Sequence, residues 1–196
     1  MRIGYAVQGS TDRAFLHGLK GRWCEDAEMI EGAFRGSTGL SLRRELAKIC
    51  DDLFSQKGCD VIVFLSDADD ANWRGIQRRE VGKLPDSIRP FAVYGMADRN
   101  IECWLCADSH YIAEKTGREA ADFAVADPKG AFESAMYISR DDKREPEITQ
   151  LVREAPADVL QQWMRKSGSF EDFYDQLLAV SRQRECAIDN LRESGG

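Results

Sequence analysis

The run Val61-Ile62-Val63-Phe64-Leu65 constrains this chain more than any other stretch, because it ends abruptly in Ser66-Asp67-Ala68-Asp69-Asp70. Consecutive apolar residues, mostly β-branched or aromatic and too few for a typical helix, predict a strand buried on both faces. In open α/β sheets ligands gather outside the carboxyl ends of the strands, so Asp67, Asp69 and Asp70 fall where chemistry is usually done. Carboxylates that close repel one another and raise each other's pKa unless a cation lies between them. A hard divalent ion such as Mg²⁺ or Mn²⁺ suits that position, because such ions take oxygen ligands, for Mg²⁺ usually one or two protein carboxylates. The competing reading is structural. Asp after a strand also forms turns and N-caps, and Asn72-Trp73-Arg74 opens a helix that Asp69 or Asp70 can cap. From the residues alone both readings stand.

Around this strand the chain alternates. Ile3 to Val7 is a short apolar run ending in Gln8-Gly9-Ser10-Thr11-Asp12, after which Ala14, Phe15, Leu16 and Leu19 recur at helical spacing. This predicts strand, tight turn and helix, with Ser10 or Thr11 as N-cap. The turn lacks the Gly-Lys-Ser/Thr ending of a P-loop. A second strand is expected within 27–34. Leu42, Leu46, Ile49, Cys50 and Leu53 form one stripe of an amphipathic helix that stops near Gly58. Residues 72–83 read as a charged helix, and Phe91-Ala92-Val93-Tyr94 as another buried strand. Asn100 then starts a helix in which Glu102 sits among apolar neighbours. A carboxylate there either meets a partner or costs several kcal/mol to bury, unless it simply complements the helix N-terminus.

Strands alternating with helices predict an α/β fold with a mainly parallel sheet flanked by helices and right-handed crossovers. From about residue 110 only helix and loop remain. The expected organisation is therefore an α/β core over 1–110 and a helical C-terminal extension over 111–196 that packs on it. Within the extension, Asp127-Pro128-Lys129-Gly130 is a turn, Arg140 to Glu147 a solvated loop, and Ser169-Phe170-Glu171-Asp172 a capping box opening a helix. The tail after Asn190 is expected to fray.

Charge narrows the function classes. With 27 basic against 34 acidic residues the net charge is −7, which argues against nucleic-acid binding by bulk charge and requires a local basic patch or a basic partner. No apolar run approaches the ~20 residues of a membrane helix, and the first residues lack the apolar region of a signal peptide, so a cytoplasmic protein is expected. In that compartment the six cysteines are expected to be buried, reduced thiols. Cys103 and Cys106 with His110 form part of a zinc-like set. A second Cys pair is missing, and the other histidine, His17, is remote in sequence.

Taken in order, Val7-Gln8-Gly9-Ser10-Thr11-Asp12, Asp67-Ala68-Asp69 after its strand, Ile101-Glu102-Cys103-Trp104-Leu105 with Asp108, Asp127-Pro128-Lys129 and Ser169-Phe170 resemble a bacterial family of Toprim-like proteins related to the OLD nucleases. The resemblance covers most of the chain. It implies a four-stranded parallel sheet with flanking helices and a Mg²⁺- or Mn²⁺-dependent site that cleaves or rejoins nucleic-acid phosphodiesters. The family's Glu-Gly motif falls on Gln8-Gly9 with Asp12, its Asp-x-Asp on Asp67 and Asp69, its Glu-x-Trp-Leu on Glu102, and its Pro-Lys on Lys129. At position 8 a Gln replaces the family's Glu; Gln keeps an acceptor oxygen but carries neither charge nor a proton to exchange.

Three functions follow as expectations. The first is a metal-dependent nuclease in which Asp67, Asp69 and Asp70 hold the ion, Glu102 or Asp12 completes the site or activates water, Lys129 steadies the developing charge, and Gln8 stands at the position of the family's Glu. The second is a degenerate Toprim-like module that binds nucleic acid or a larger ATPase partner without cutting, in an anti-phage or mobile-element setting that the resemblance implies. The third, a phosphatase of the haloacid dehalogenase type, fits least, because that family places its Asp-x-Asp near the N-terminus and expects Thr or Val where Ala71-Asn72 stand.

Overall fold

Uninterrupted apolar runs become the inner strands of one sheet because both of their faces are covered. In the computed structural model, which describes all residues except 25, 37, 71, 137–140, 185, 187–190 and 192–196, β1 (Arg2–Val7), β2 (Glu28–Glu31), β3 (Val61–Asp67) and β4 (Ala92–Ala97) are all parallel. Their order is β2-β1-β3-β4. Val63 pairs with Tyr5 on one side and Val93 on the other, and every residue of β3 is buried. The chain leaves β1 towards β2 and leaves β3 towards β4, so the direction of winding reverses between β1 and β3. That reversal opens a crevice at the carboxyl end of the sheet.

Between β1 and β2 lies α1 (Ser10–Lys20). Gly9, rather than Ser10 or Thr11, is its N-cap: the Asp12 carboxylate reaches back and accepts the Gly9 N–H at 2.8 Å. The single helix expected over 42–53 is divided into α2 (Gly39–Arg44) and α3 (Leu46–Cys50), continued by a π-helical segment Asp51–Gln56. Glu45 leaves helical geometry between them at φ −105° and ψ 9°. Leu42, Leu46, Ile49, Cys50 and Leu53 are nevertheless all buried, so periodicity identified the apolar face while the local break escaped it. Gly58, at φ +62°, ends the segment.

After β3 come α4 (Trp73–Val81), a 3₁₀ turn Arg89–Phe91 and β4, then α5 (Ile101–Leu105), α6 (Ser109–Thr116), α7 (Ala120–Phe123) and α8 (Lys129–Met136). The charged run expected as a loop instead opens α9 (Asp141–Glu154), with Pro146 inside it; Arg140 itself lies outside the described residues. The reason is tertiary. Ile148, Leu151 and Val152 are buried on one side of α9, and Gly18 lets α1 approach so closely that a Cβ there would lie 2.6 Å from the Thr149 carbonyl. Then follow α10 (Ala157–Lys166) and α11 (Gly168–Gln183). The cap of α11 is Ser167, whose hydroxyl accepts from Phe170 N, and Ser169 is freed for another task.

Two apolar clusters cover the sheet. Ala6, Ile62, Phe64, Tyr94 and Met96 pack with α2, α3 and α4 on one face. Ile3, Val7, Val63, Leu65 and Val93 pack on the other with α1, α5 and the helices beyond residue 110, in a single cluster that extends to Leu191. The 110/111 boundary falls within α6, and the later helices form a layer of the same core. Leu191 is buried and accepts from Gln161 Nε2; 192–196 lie outside the described residues. Cys24 and Cys186 are joined in a disulfide with their Cα atoms 5.5 Å apart, which corrects the expectation of six reduced thiols; Cys50, Cys59, Cys103 and Cys106 are free. Spacing gave no sign of that pair, because 162 residues separate its members. No helix among the described residues is long and apolar enough to cross a membrane.

Candidate functional site

Side chains from several segments meet at the crevice between β1 and β3. Gln8, just past β1, turns its amide across the gap and accepts the Asp67 N–H on Oε1 at 3.1 Å, while its own N–H donates to the Leu65 carbonyl. Asp67, the last residue of β3, accepts the Ile101 N–H on Oδ1 at 3.0 Å. This bond ties the carboxylate to the start of α5, one residue from Glu102. Arg43 of α2 donates to the Asp67 carbonyl at 3.2 Å.

What aims Glu102 is a buried polar knot with an aromatic cluster beneath it. Asn100 caps α5 by accepting Cys103 N. Two residues beyond Glu102, the Trp104 indole stacks on Phe173 with centroids 5.4 Å apart and donates its N–H to the Ser169 hydroxyl at 2.7 Å. Ser169 in turn donates to Asp98 Oδ1 at 2.7 Å, so α11 holds both the exit of β4 and the helix that carries Glu102. Phe15 and Phe170 close the cluster, and each such aromatic pair contributes about 0.5–1.5 kcal/mol beyond simple burial.

Three carboxylates, Asp12, Asp67 and Glu102, are thereby buried within electrostatic reach of one another. Desolvation pushes Asp12 well above the usual carboxylate range, and the charges of Asp67 and Glu102 push it further. Burial, then Glu102 and Asp69, raise Asp67 to about 7, against a lowering pull from Lys129. Glu102 is raised chiefly by burial, with Lys129 and Arg144 opposing. Lys129 itself loses some basicity to desolvation but gains more from Glu102 and Asp67, so its pKa ends raised. Oδ1 of Asp12 and Oε2 of Glu102 meet no hydrogen-bond donor among the described residues. Buried acceptors left in that state cost about 1–3 kcal/mol each, more when charged.

The remaining expected residues are placed differently. Asp69, at φ +55°, is exposed; its N–H donates to the Arg99 carbonyl, and its carboxylate acts on Asp67 and Lys129 through charge alone. Asp70 is exposed and accepts the Asn72 N–H at 2.8 Å, the turn-forming role. Among the described residues Cys103, Cys106 and His110 gather no further ligands. Among the described residues no group of three or more His, Cys, Asp or Glu side chains is arranged to enclose a metal ion. A fully protein-built cage is therefore absent there. The donor set at the crevice is oxygen only, which suits a hard ion held by one or two carboxylates with water completing its shell.

Two contributors escaped the sequence. Arg144 lies near Glu102 and donates to Thr11 Oγ1 at 3.0 Å. It was hidden in the run read as loop. Ser169 was read as a cap, and only the fold brings it to Asp98, 71 residues away. No protein-family model matches this chain, and no curated protein or solved structure is significantly similar to it.

Proposed function

We propose that the chain is a Toprim-like phosphodiesterase that uses Mg²⁺ or Mn²⁺ to cleave nucleic acid. The observation that carries this reading is the pair of donorless buried oxygens on Asp12 and Glu102 beside an Asp67 whose pKa is raised to about 7, at the crevice where the winding of the sheet reverses. Carboxylates gathered at such expense are expected where a cation or a proton-transfer step needs them. Asp67 and Glu102 would hold the ion, with Asp69 at its outer side. When bound, the ion polarises a phosphoryl oxygen and draws negative charge into the site. Asp12, whose carboxyl is pushed up by burial and then by Asp67 and Glu102, would exchange a proton through Oδ1 with the attacking water or the leaving oxygen, a role that contributes about 10²- to 10⁴-fold. Lys129, whose charge acts on Asp67 and Glu102, would steady the charge that develops on the phosphorus oxygens.

The test is incubation of the purified chain with plasmid and with single-stranded nucleic acid in Mn²⁺. Cleavage should appear with wild type and vanish with Asp67→Ala. Cleavage that persists in Asp67→Ala overturns the assignment.

A second reading draws support from Gln8. Its amide oxygen is already engaged by the Asp67 N–H, an uncharged brace where the Toprim-like family has Glu. On this reading the chain is a degenerate module that binds nucleic acid or an ATPase partner, in phage defence or a mobile element, without turnover. Gln8→Glu separates the two. A gain of metal-dependent cleavage supports lost catalysis; demonstrable wild-type cleavage unchanged by the substitution rules it out.

A further inference from the structure

β1 stops at Val7, while β3 beside it runs on to Asp67. Leu65 and Asp67 turn their peptide groups to the same side of β3, and there the Leu65 carbonyl still accepts the Gln8 N–H. The N–H and C=O of Asp67 fall beyond the last residue of β1, and backbone groups in such a place have to find other partners. Two side chains stand in for the missing strand. Gln8 Oε1 accepts the Asp67 N–H at 3.1 Å, and Arg43 Nη1 donates to the Asp67 carbonyl at 3.2 Å. A Cβ on Gly39 would lie 2.6 Å from Gln8 Oε1 and 3.0 Å from Arg43 Nη1, so both side chains reach one spot and a bare glycine leaves room for them.

This bracing uses only part of each group. An amide whose oxygen accepts the Asp67 N–H has its NH₂ left over; Gln8 Nε2 makes no hydrogen bond among the described residues and is open to solvent. Arg43 uses one N–H of its fork, meets no carboxylate among the described residues, and has the rest of its guanidinium open to solvent. A Glu at position 8 would brace Asp67 as well, because a carboxylate also accepts. The unused NH₂ is what Gln adds. Asp67 divides these donors from the acids: its main chain is held by Gln8 and Arg43, while its carboxylate turns to the Ile101 N–H and feels the charge of Glu102.

Resting on the phosphodiesterase reading above, we propose that Gln8 Nε2 and the Arg43 guanidinium together seat a non-bridging oxygen of the substrate's phosphodiester, so that Gln8 is a binding residue and not the remnant of a lost acid. Carboxylates repel the anionic oxygens of a phosphodiester, and an amide N–H beside an unpaired guanidinium supplies the donors that receive them. Gln8→Glu removes one donor and sets a negative charge beside the other. It should therefore lower cleavage, the opposite of what a degenerate module predicts.

The side-chain NH₂ peaks of Gln8, assigned through bonds in ¹H–¹⁵N spectra of the 196-residue chain, should move when sodium phosphate is titrated in chelator. Binding of a short labelled oligothymidylate is read without turnover, by fluorescence anisotropy in Ca²⁺. Gln8→Glu and Arg43→Ala should each weaken it at least about tenfold, the usual worth of a hydrogen bond to a charged group. Arg44→Ala removes the same charge from the next, exposed position of α2 and should change affinity less than about twofold. Gln8 peaks that stay still while phosphate binds, oligothymidylate affinity in Gln8→Glu equal to or above wild type, or equal losses in Arg43→Ala and Arg44→Ala overturn the proposal; the Gln8 peaks and Arg43→Ala decide it if Gln8→Glu does not fold. Absence of cleavage while this pattern holds strikes only the phosphodiesterase reading, and Asp67-dependent cleavage undiminished by Gln8→Glu strikes only the oxygen seat.

Discussion

Replacing Asp67 with Asn tests the electrostatics of the crevice directly. The Asn side chain retains an Oδ1 that can accept the Ile101 N–H, so the brace between β3 and α5 survives. What disappears is the need to ionise a buried carboxyl beside Glu102. The wild-type group moves from 3.8 to about 7 on folding, a displacement of about 3 units and hence an upper bound of about 4 kcal/mol. Relaxation of the site and water penetration reduce this to about 2 kcal/mol in practice. The sign follows from linkage. A carboxyl whose pKa is raised in the folded state contributes its stabilisation below its unfolded pKa and loses it as pH rises through the folded value. Without metal, wild type should therefore weaken progressively between about pH 4 and pH 7, with Asp12 and Glu102 adding in the same direction. Asp67→Asn should match wild type near the acid end of that window and exceed it by about 2 kcal/mol at about pH 8, read by urea denaturation in chelator. Saturating Mg²⁺ or Mn²⁺ should stabilise wild type, by about 2.7 kcal/mol at a hundred times Kd, and leave the variant unmoved. A variant less stable than wild type at about pH 8 in chelator, or a difference that ignores pH, refutes the account.

Ser169→Ala removes the oxygen that joins Trp104 to Asp98; urea denaturation should show a loss of about 1–3 kcal/mol, with any cleavage activity falling alongside, whereas a neutral result means the knot does not position α5. Gly95→Ala places a Cβ 2.7 Å from both Leu65 and Phe173, and overpacking of that kind should lower stability by about 1–3 kcal/mol in a thermal melt. Breaking the Cys24–Cys186 bond by Cys24→Ser or by reductant frees a loop of 162 residues, and loop-closure entropy sets the loss at no more than about 5 kcal/mol; identical denaturation curves with and without reductant would remove the bond from the stability of the fold. Lys129→Ala takes away a cation whose charge lowers both Asp67 and Glu102, so in chelator the pH-dependent weakening of the protein should reach to higher pH and grow in total; an unchanged pH profile places Lys129 outside the site.

What could be read from the chain was whatever rests on local pattern. The β3 run, the acidic exit and Glu102 inside an apolar helix all carry their signal within a few residues, and the four-stranded parallel sheet follows from the alternation of such segments. Features decided by distant partners were not legible. The run up to Glu147 looks solvated because its charges are visible, while the helix it opens is packed farther along, where the bare backbone of Gly18 in another helix lies against Thr149 and Val152. Gln8 stands out only against the Glu of the family the sequence resembles, and its grip on the Asp67 N–H depends on two strands lying side by side. Asp70 shows the converse: its type and spacing suit a ligand, and geometry gives its carboxylate a turn to close.

The knot at Ser169 has a consequence for biosynthesis. Residues 167–169 open α11, yet they fasten the exit of β4 and the indole of Trp104. A ribosome-bound chain that ends before Ser167 already contains every acid of the crevice but lacks the fastening that sets their directions. Assembly of the site thus waits until α11 has been made, and an arrested chain that stops before it should resist protease no better when Mg²⁺ is supplied, in contrast to the 196-residue chain.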